Sequence, residues 1–142
     1  MRKLTLFIVS VFALSLSAAF AQTGGEQDKP KINKKNLIVK EWNVTGKAGS
    51  QVLDHITIYS PEGKKIEEIE YDSYGKQKWR KRIEWGENGK ILRELVYNEH
   101  NKLVTYKKFD YNEFGKKKVQ YTYNSKGKLI ATKNFEYITE DA

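Results

Sequence analysis

Residues that could carry acid–base or nucleophilic chemistry are sparse in this sequence. His55 and His100 are the only imidazoles, and there is no cysteine. The missing thiols exclude disulfides, thiolate metal sites and cysteine nucleophiles. Three carboxylates, Glu84, Asp110 and Glu136, recur every 26 residues, each one place before an aromatic. If those positions sit on alternate strands of one sheet, they lie roughly 10 Å apart. Inverting glycosidases hold their two carboxylates at roughly 6.5–9.5 Å, so the spacing only borders on that chemistry. A repeat generates equivalent acids automatically, and lysines surround these three, so the simpler expectation is a ladder of ion pairs. No motif sets an apolar pocket around any of them that would raise a carboxyl pKa. His100 falls inside a turn-like segment, and His55 has no nucleophile or acid placed beside it by any motif. No catalytic residue, cofactor or metal site is expected.

The aromatics are the better candidates. Trp79, Trp85, Tyr97, Tyr111 and Tyr123 are interleaved with lysines. On an open sheet they would form a ligand platform, stacking on sugar rings or bases. The competing expectation is that they hold the sheet together, as strand aromatics commonly do.

The elements that position them form a repeat. Aromatics at Tyr59, Tyr71, Trp85, Tyr97, Tyr111, Tyr123 and Tyr137 are separated by alternating intervals of 12 and 14 residues. Each of the first six is followed by three residues, then Gly or Asn, then Lys. The first place after the aromatic is Ser60, Asp72, Gly86, Asn98, Asn112 or Asn124. The fourth is Gly63, Gly75, Gly89, Asn101, Gly115 or Gly127. A type I turn prefers Asp, Asn or Ser first and Gly fourth. Asn is the side chain that best tolerates the left-handed backbone a fourth-place glycine supplies. These six positions are therefore read as structural turn residues with positive φ, closing hairpins with a G1 bulge.

Extending the turn register along each hairpin pairs Glu70 with Lys78, Glu68 with Arg80, Arg82 with Glu94 and Asp110 with Lys118. It also pairs Ile69 with Trp79, Trp85 with Ile91, Tyr97 with Leu103, Phe109 with Val119 and Tyr123 with Leu129. Trp85, Tyr97, Phe109, Tyr111, Tyr123 and Phe135 then share one face. Glu70, Arg80, Arg82, Glu94 and Lys118 share the other. Upstream, Leu37–Thr45 and Gln51–Tyr59 read as a further strand pair around Gly46 to Gly49. The predicted fold is all-β: an antiparallel meander of about eight strands, curled open or partly closed into a roll. No segment has helical periodicity.

The units Tyr71 to Lys76, Tyr111 to Lys116 and Tyr123 to Lys128 resemble the YD repeats of Rhs-type and wall-associated bacterial surface proteins. The similarity spans about residues 59–137. It implies a β-strand array with a structural or binding role and no catalytic residues. Rhs-type shells carry many more repeats around a toxin domain, so encapsulation does not carry over. A second, weaker likeness is to MORN-like repeats, whose Gly-x-Gly pattern this chain lacks.

Residues 1–21 read as a secretory signal: Arg2 and Lys3, an apolar run from Leu4 to Leu16, then Ala19-Phe20-Ala21 before Gln22. Cleavage after Ala21 leaves no cysteine for a lipid anchor and lowers the formal charge from +8 to +6. Residues 22–36 are polar and basic and read as a flexible leader. Residues 37–142 then form a single β-repeat domain. No later segment is apolar enough to span a bilayer. The expected protein is secreted or periplasmic and non-catalytic, a structural or binding module at the cell envelope. Its partner would be an envelope polysaccharide, a protein, or another copy meeting the aromatic face. A carbohydrate- or polyanion-binding module is the alternative reading, and a glycoside-acting enzyme the most distant one. Export argues against nucleic acid as a partner.

Overall fold

The computed structural model describes residues 30–44, 46 and 49–140. The signal segment 1–21, leader residues 22–29 and residues 45, 47, 48, 141 and 142 lie outside the described residues. Eight strands follow in chain order: β1 (Ile38–Val44), β2 (Gln51–Tyr59), β3 (Lys65–Tyr71), β4 (Gln77–Trp85), β5 (Ile91–Tyr97), β6 (Leu103–Tyr111), β7 (Lys117–Asn124) and β8 (Leu129–Asn134). They form one sheet in the order β1 to β8, each antiparallel to the last. β1 and β8 occupy opposite edges and do not pair, so the sheet is open rather than rolled shut.

The turns follow from local chemistry. In each, the fourth-place N–H donates to the first-place carbonyl, as from Gly75 to Asp72 at 3.0 Å. The first-place N–H donates to the closing lysine's carbonyl, as from Asp72 to Lys76 at 2.8 Å. The first side chain accepts two further backbone N–H groups. Asn112 Oδ1 takes those of Phe114 and Lys116 at 3.0 and 2.9 Å, and Asn124 Oδ1 does the same for Lys126 and Lys128. Gly86 has no side chain to do this, and Asn88 Oδ1 accepts the Lys90 N–H instead, at 3.0 Å. All six fourth-place residues have positive φ, between 56° at Asn101 and 84° at Gly127.

The register differs from the sequence expectation beyond the first pair of each hairpin. Tyr71 pairs with Gln77, Trp85 with Ile91, Tyr97 with Leu103 and Tyr123 with Leu129, as the turn requires. One step further, a second bulge shifts every hairpin. Glu70 faces Trp79 rather than Lys78, Ile69 faces Arg80, Ile83 faces Glu94, and Asp110 faces Val119. The extra residues are Ile66, Lys78, Leu92, Val104, Lys118 and Ile130. Inserting one residue exchanges the faces of everything beyond it.

The expected single aromatic face is therefore corrected. Directly paired residues share a face, and the pairings divide the aromatics in two. Trp85, Phe109 and Tyr111 lie on a first face with Trp79, His55 and Glu94. Tyr97 and Tyr123 lie on a second face with Tyr106, Arg80 and Arg82. The expected charged face dissolves the same way, since Glu70 and Glu94 are on the first face and Arg80 and Arg82 on the second.

With both faces mixed and no second layer among the described residues, they hold no conventional core. Among the described residues no hydrophobic residue is buried; only Thr57 and Ser60 are, at 9% and 8% exposure. The apolar material is spread as half-covered side chains on each face. The last part of the leader is folded: the Asn36 N–H donates to the Ser60 carbonyl at 2.9 Å, and Lys34 lies over the Tyr59 ring.

Candidate functional site

The bulges put the turn-preceding aromatics into two rows. Turns 60–64, 86–90 and 112–116 lie at one end of the sheet, and turns 72–76, 98–102 and 124–128 at the other. Along the first end and on the first face run Trp85, Tyr111 and Tyr137. Along the second end and on the second face run Tyr71, Tyr97 and Tyr123. Within a row, neighbours are 26 residues and two strands apart, roughly 10 Å. The five candidate platform residues thus do not form one platform: Trp79, Trp85 and Tyr111 are on the first face, Tyr97 and Tyr123 on the second.

On the first face each ring is tied to the backbone of the hairpin before it. Trp85 Nε1 donates to the Lys65 carbonyl at 2.8 Å, Tyr111 OH to the Ile91 carbonyl at 2.7 Å, and Tyr137 OH to the Lys117 carbonyl at 2.7 Å. Donor and acceptor are 20 residues apart in every case, so one repeat geometry sets all three rings. Burial pushes the Tyr111 phenol above its usual pKa, although its bond to Ile91 opposes the shift.

Cations accompany the rings on both faces. Lys64 lies 5.1 Å from the Trp85 ring centre, Lys117 4.0 Å from Phe109, Arg80 5.5 Å from Tyr97 and Lys108 5.8 Å from Tyr123. Tyr106 and Tyr123 stack with centroids 5.0 Å apart. Each cation is attracted to the negative face of the ring quadrupole.

Of the acid–base candidates, Glu84, Asp110 and His55 have local partners. Glu84 accepts from Arg93 Nε at 2.6 Å, and this bond holds the guanidinium above its usual range. Asp110 accepts from Tyr121 OH at 2.8 Å and pushes that phenol up. Glu136 is exposed. His55 Nδ1 lies 3.0 Å from Glu70 Oε2, with its ring edge-on to Trp79. His100 sits exposed in its turn. Among the described residues no group of three His, Asp or Glu side chains is arranged to hold a metal ion.

Charge is divided by strand in a way the repeat does not foretell. From Gln51 to Tyr97, covering β2 to β5, nine Lys and Arg meet nine Asp and Glu. From Leu103 to Asn134, covering β6 to β8, eight lysines meet only Asp110 and Glu113. The regional asymmetry is visible by counting, but it gains meaning only once the strands are known to be neighbours.

Comparison with known proteins adds little. No protein-family model matches this chain, and no curated protein matches it significantly. One solved structure, a GtfA/B complex bound to UDP and GlcNAc, is similar with a TM-score of 0.29 at 17% identity. The match covers 66% of this chain and 19% of that one. A likeness at that level carries no functional argument.

Proposed function

We propose that this chain is an exported, non-catalytic β-repeat module that binds or scaffolds at the cell envelope, in the manner of YD-repeat surface proteins. The observation that carries the reading is the pair of aromatic rows, flanked by cations and repeated at two-strand intervals on an open sheet. A regular row suits an extended, repeating partner better than a small molecule, which needs a concave and largely enclosed site. Binding a polysaccharide or other polyanion is the more specific form, and the six excess lysines of β6 to β8 favour it.

The test is co-sedimentation of purified protein with isolated envelope polysaccharide and peptidoglycan at about 0.1 M and 1 M salt. The screening length falls from about 10 Å to 3 Å across that range. Partial retention at high salt is expected, because ring stacking survives screening. Failure to sediment with any envelope fraction at either salt overturns the binding reading. Release of reducing sugar by the protein overturns the non-catalytic one.

A further inference from the structure

One concavity stands apart from the rest of the surface. It is an open trough of about 370 Å³ at the first end and on the first face, crossing the β4–β5 and β6–β7 hairpins and reaching Tyr137 beyond β8. Trp85, Tyr111 and Tyr137 form its rungs, and Lys90, Lys116 and Lys117 line it. No carboxylate lines it, whereas the two neighbouring clefts at the same end include Glu87 and Glu113 respectively. The rungs are held by their bonds to the carbonyls of Lys65, Ile91 and Lys117, so they are ordered before any ligand arrives. Lys117 lies over the Phe109 ring and 4.0 Å from Glu94 Oε1. Lys90 and Lys116 make no ion pair among the described residues. Gly89 and Gly115 also line the trough, both with positive φ; a Cβ on Gly115 would come within 2.6 Å of Lys90 Nζ. A Cβ on Gly89 would meet only Lys64 Nζ, at 3.8 Å.

We propose that this trough binds a linear acidic polysaccharide. The rungs recur at roughly 10 Å, close to the length of two linked pyranose rings, and their flat faces suit the apolar faces of sugars. The lysines between them suit carboxylate or sulfate groups carried at that period. A neutral glycan would leave Lys90 and Lys116 unmatched. A polyanion without sugar rings would leave the three aromatics unused. The inference rests on the envelope-binding reading above and narrows it to one polymer class and one end of one face.

The experiment compares two variants of equal charge. Lys90→Gln/Lys116→Gln/Lys117→Gln empties the trough of cations. Lys102→Gln/Lys126→Gln/Lys128→Gln removes as many from the turns at the opposite end. Affinity is measured for alginate, with dextran as the neutral glycan and polyphosphate as the sugar-free polyanion. The trough variant is expected to lose about tenfold for alginate, as three exposed charge contacts would give, and the opposite-end variant less than about twofold. Tyr137→Ala, at a ring already 53% exposed, is expected to weaken alginate binding with unchanged melting, while Tyr137→Phe, which keeps the ring but loses its bond to the Lys117 carbonyl, is expected to lose less. Equal losses in the two lysine variants overturn the trough and leave only binding by net charge. Polyphosphate bound as well as alginate overturns the role of the rings. Retention on peptidoglycan without affinity for alginate overturns the polymer class but leaves the envelope reading standing.

Discussion

Strands β2 to β5 and strands β6 to β8 are built from the same hairpin, yet they treat charge differently. The first group links its own side chains, mostly across strands: Lys81 reaches Glu68, Arg80 reaches Glu67, Arg93 reaches Glu84 and His55 meets Glu70, while Lys65 reaches Glu68 within β3. In the second, the one lysine with an ion pair among the described residues is Lys117, and its partner Glu94 belongs to β5. Its other contacts are lysine over ring, ring on ring, and Tyr121 on Asp110. Both groups nevertheless keep the same turns, bulges and ring ties. The hairpin chemistry is therefore sufficient for the fold, and the cross-strand ion pairs are additional to it. That leaves the lysines of β6 to β8 other than Lys117 without an ion pair among the described residues, and so available to a partner.

The strongest way to break the comparison is at the turns, where the two groups should respond alike. Gly75→Val, in the balanced group, and Gly115→Val, in the basic group, each force a β-branched residue to φ of 76° or 71°. Each is expected to cost about 2–3 kcal/mol in denaturant unfolding. A large loss in one group and none in the other would show that the turns are not equivalent.

Next in size is the ion-pair centre that only the balanced group possesses. Burial disfavours ionised Glu68, but hydrogen bonds from Lys65 and Lys81 outweigh it and hold the carboxyl below its usual value. Its contribution is therefore complete above the ordinary carboxylate pKa and is lost as pH falls through the depressed folded value. The Glu68 bond also holds Lys65 above its usual pKa, so that contribution is present below the ordinary lysine value and lost as pH rises through the raised one. Glu68→Gln is expected to cost about 1–2 kcal/mol at neutral pH. The difference from the unaltered protein should vanish in acid. A penalty that persists there would mean that packing, not charge, holds Glu68.

The smallest effect sharpens the contrast directly. Lys126→Glu adds an acid where lysines predominate, and is expected to stabilise by about 0.5 kcal/mol at low ionic strength. The gain should disappear near 1 M salt. Lys76→Glu, at an equally exposed turn of the balanced group, should give no gain. Identical responses from the two would mean that the regional charge imbalance has no energetic consequence.

The sequence by itself determined the number of strands, their order and the place of every turn. That information is local. A first-place Asp, Asn or Ser bonds backbone groups two and four residues on, and a fourth-place Gly or Asn takes the left-handed backbone, so twelve or fourteen residues contain each message whole. Even the first pair beyond each turn, such as Trp85 with Ile91, was legible. Which face each aromatic occupies was decided only in the tertiary structure. The second bulge falls on Ile66, Lys78, Leu92, Val104, Lys118 and Ile130, and these share no residue type that a reader could use. One inserted residue per hairpin reverses the face of everything beyond it, because side chains alternate with a period of two. That reversal moved Tyr97 and Tyr123 away from Trp85 and Tyr111. It turned one expected platform into two rows on opposite faces of the sheet, and it left Trp85, Tyr111 and Tyr137 as a row of their own over a trough lined by Lys90, Lys116 and Lys117.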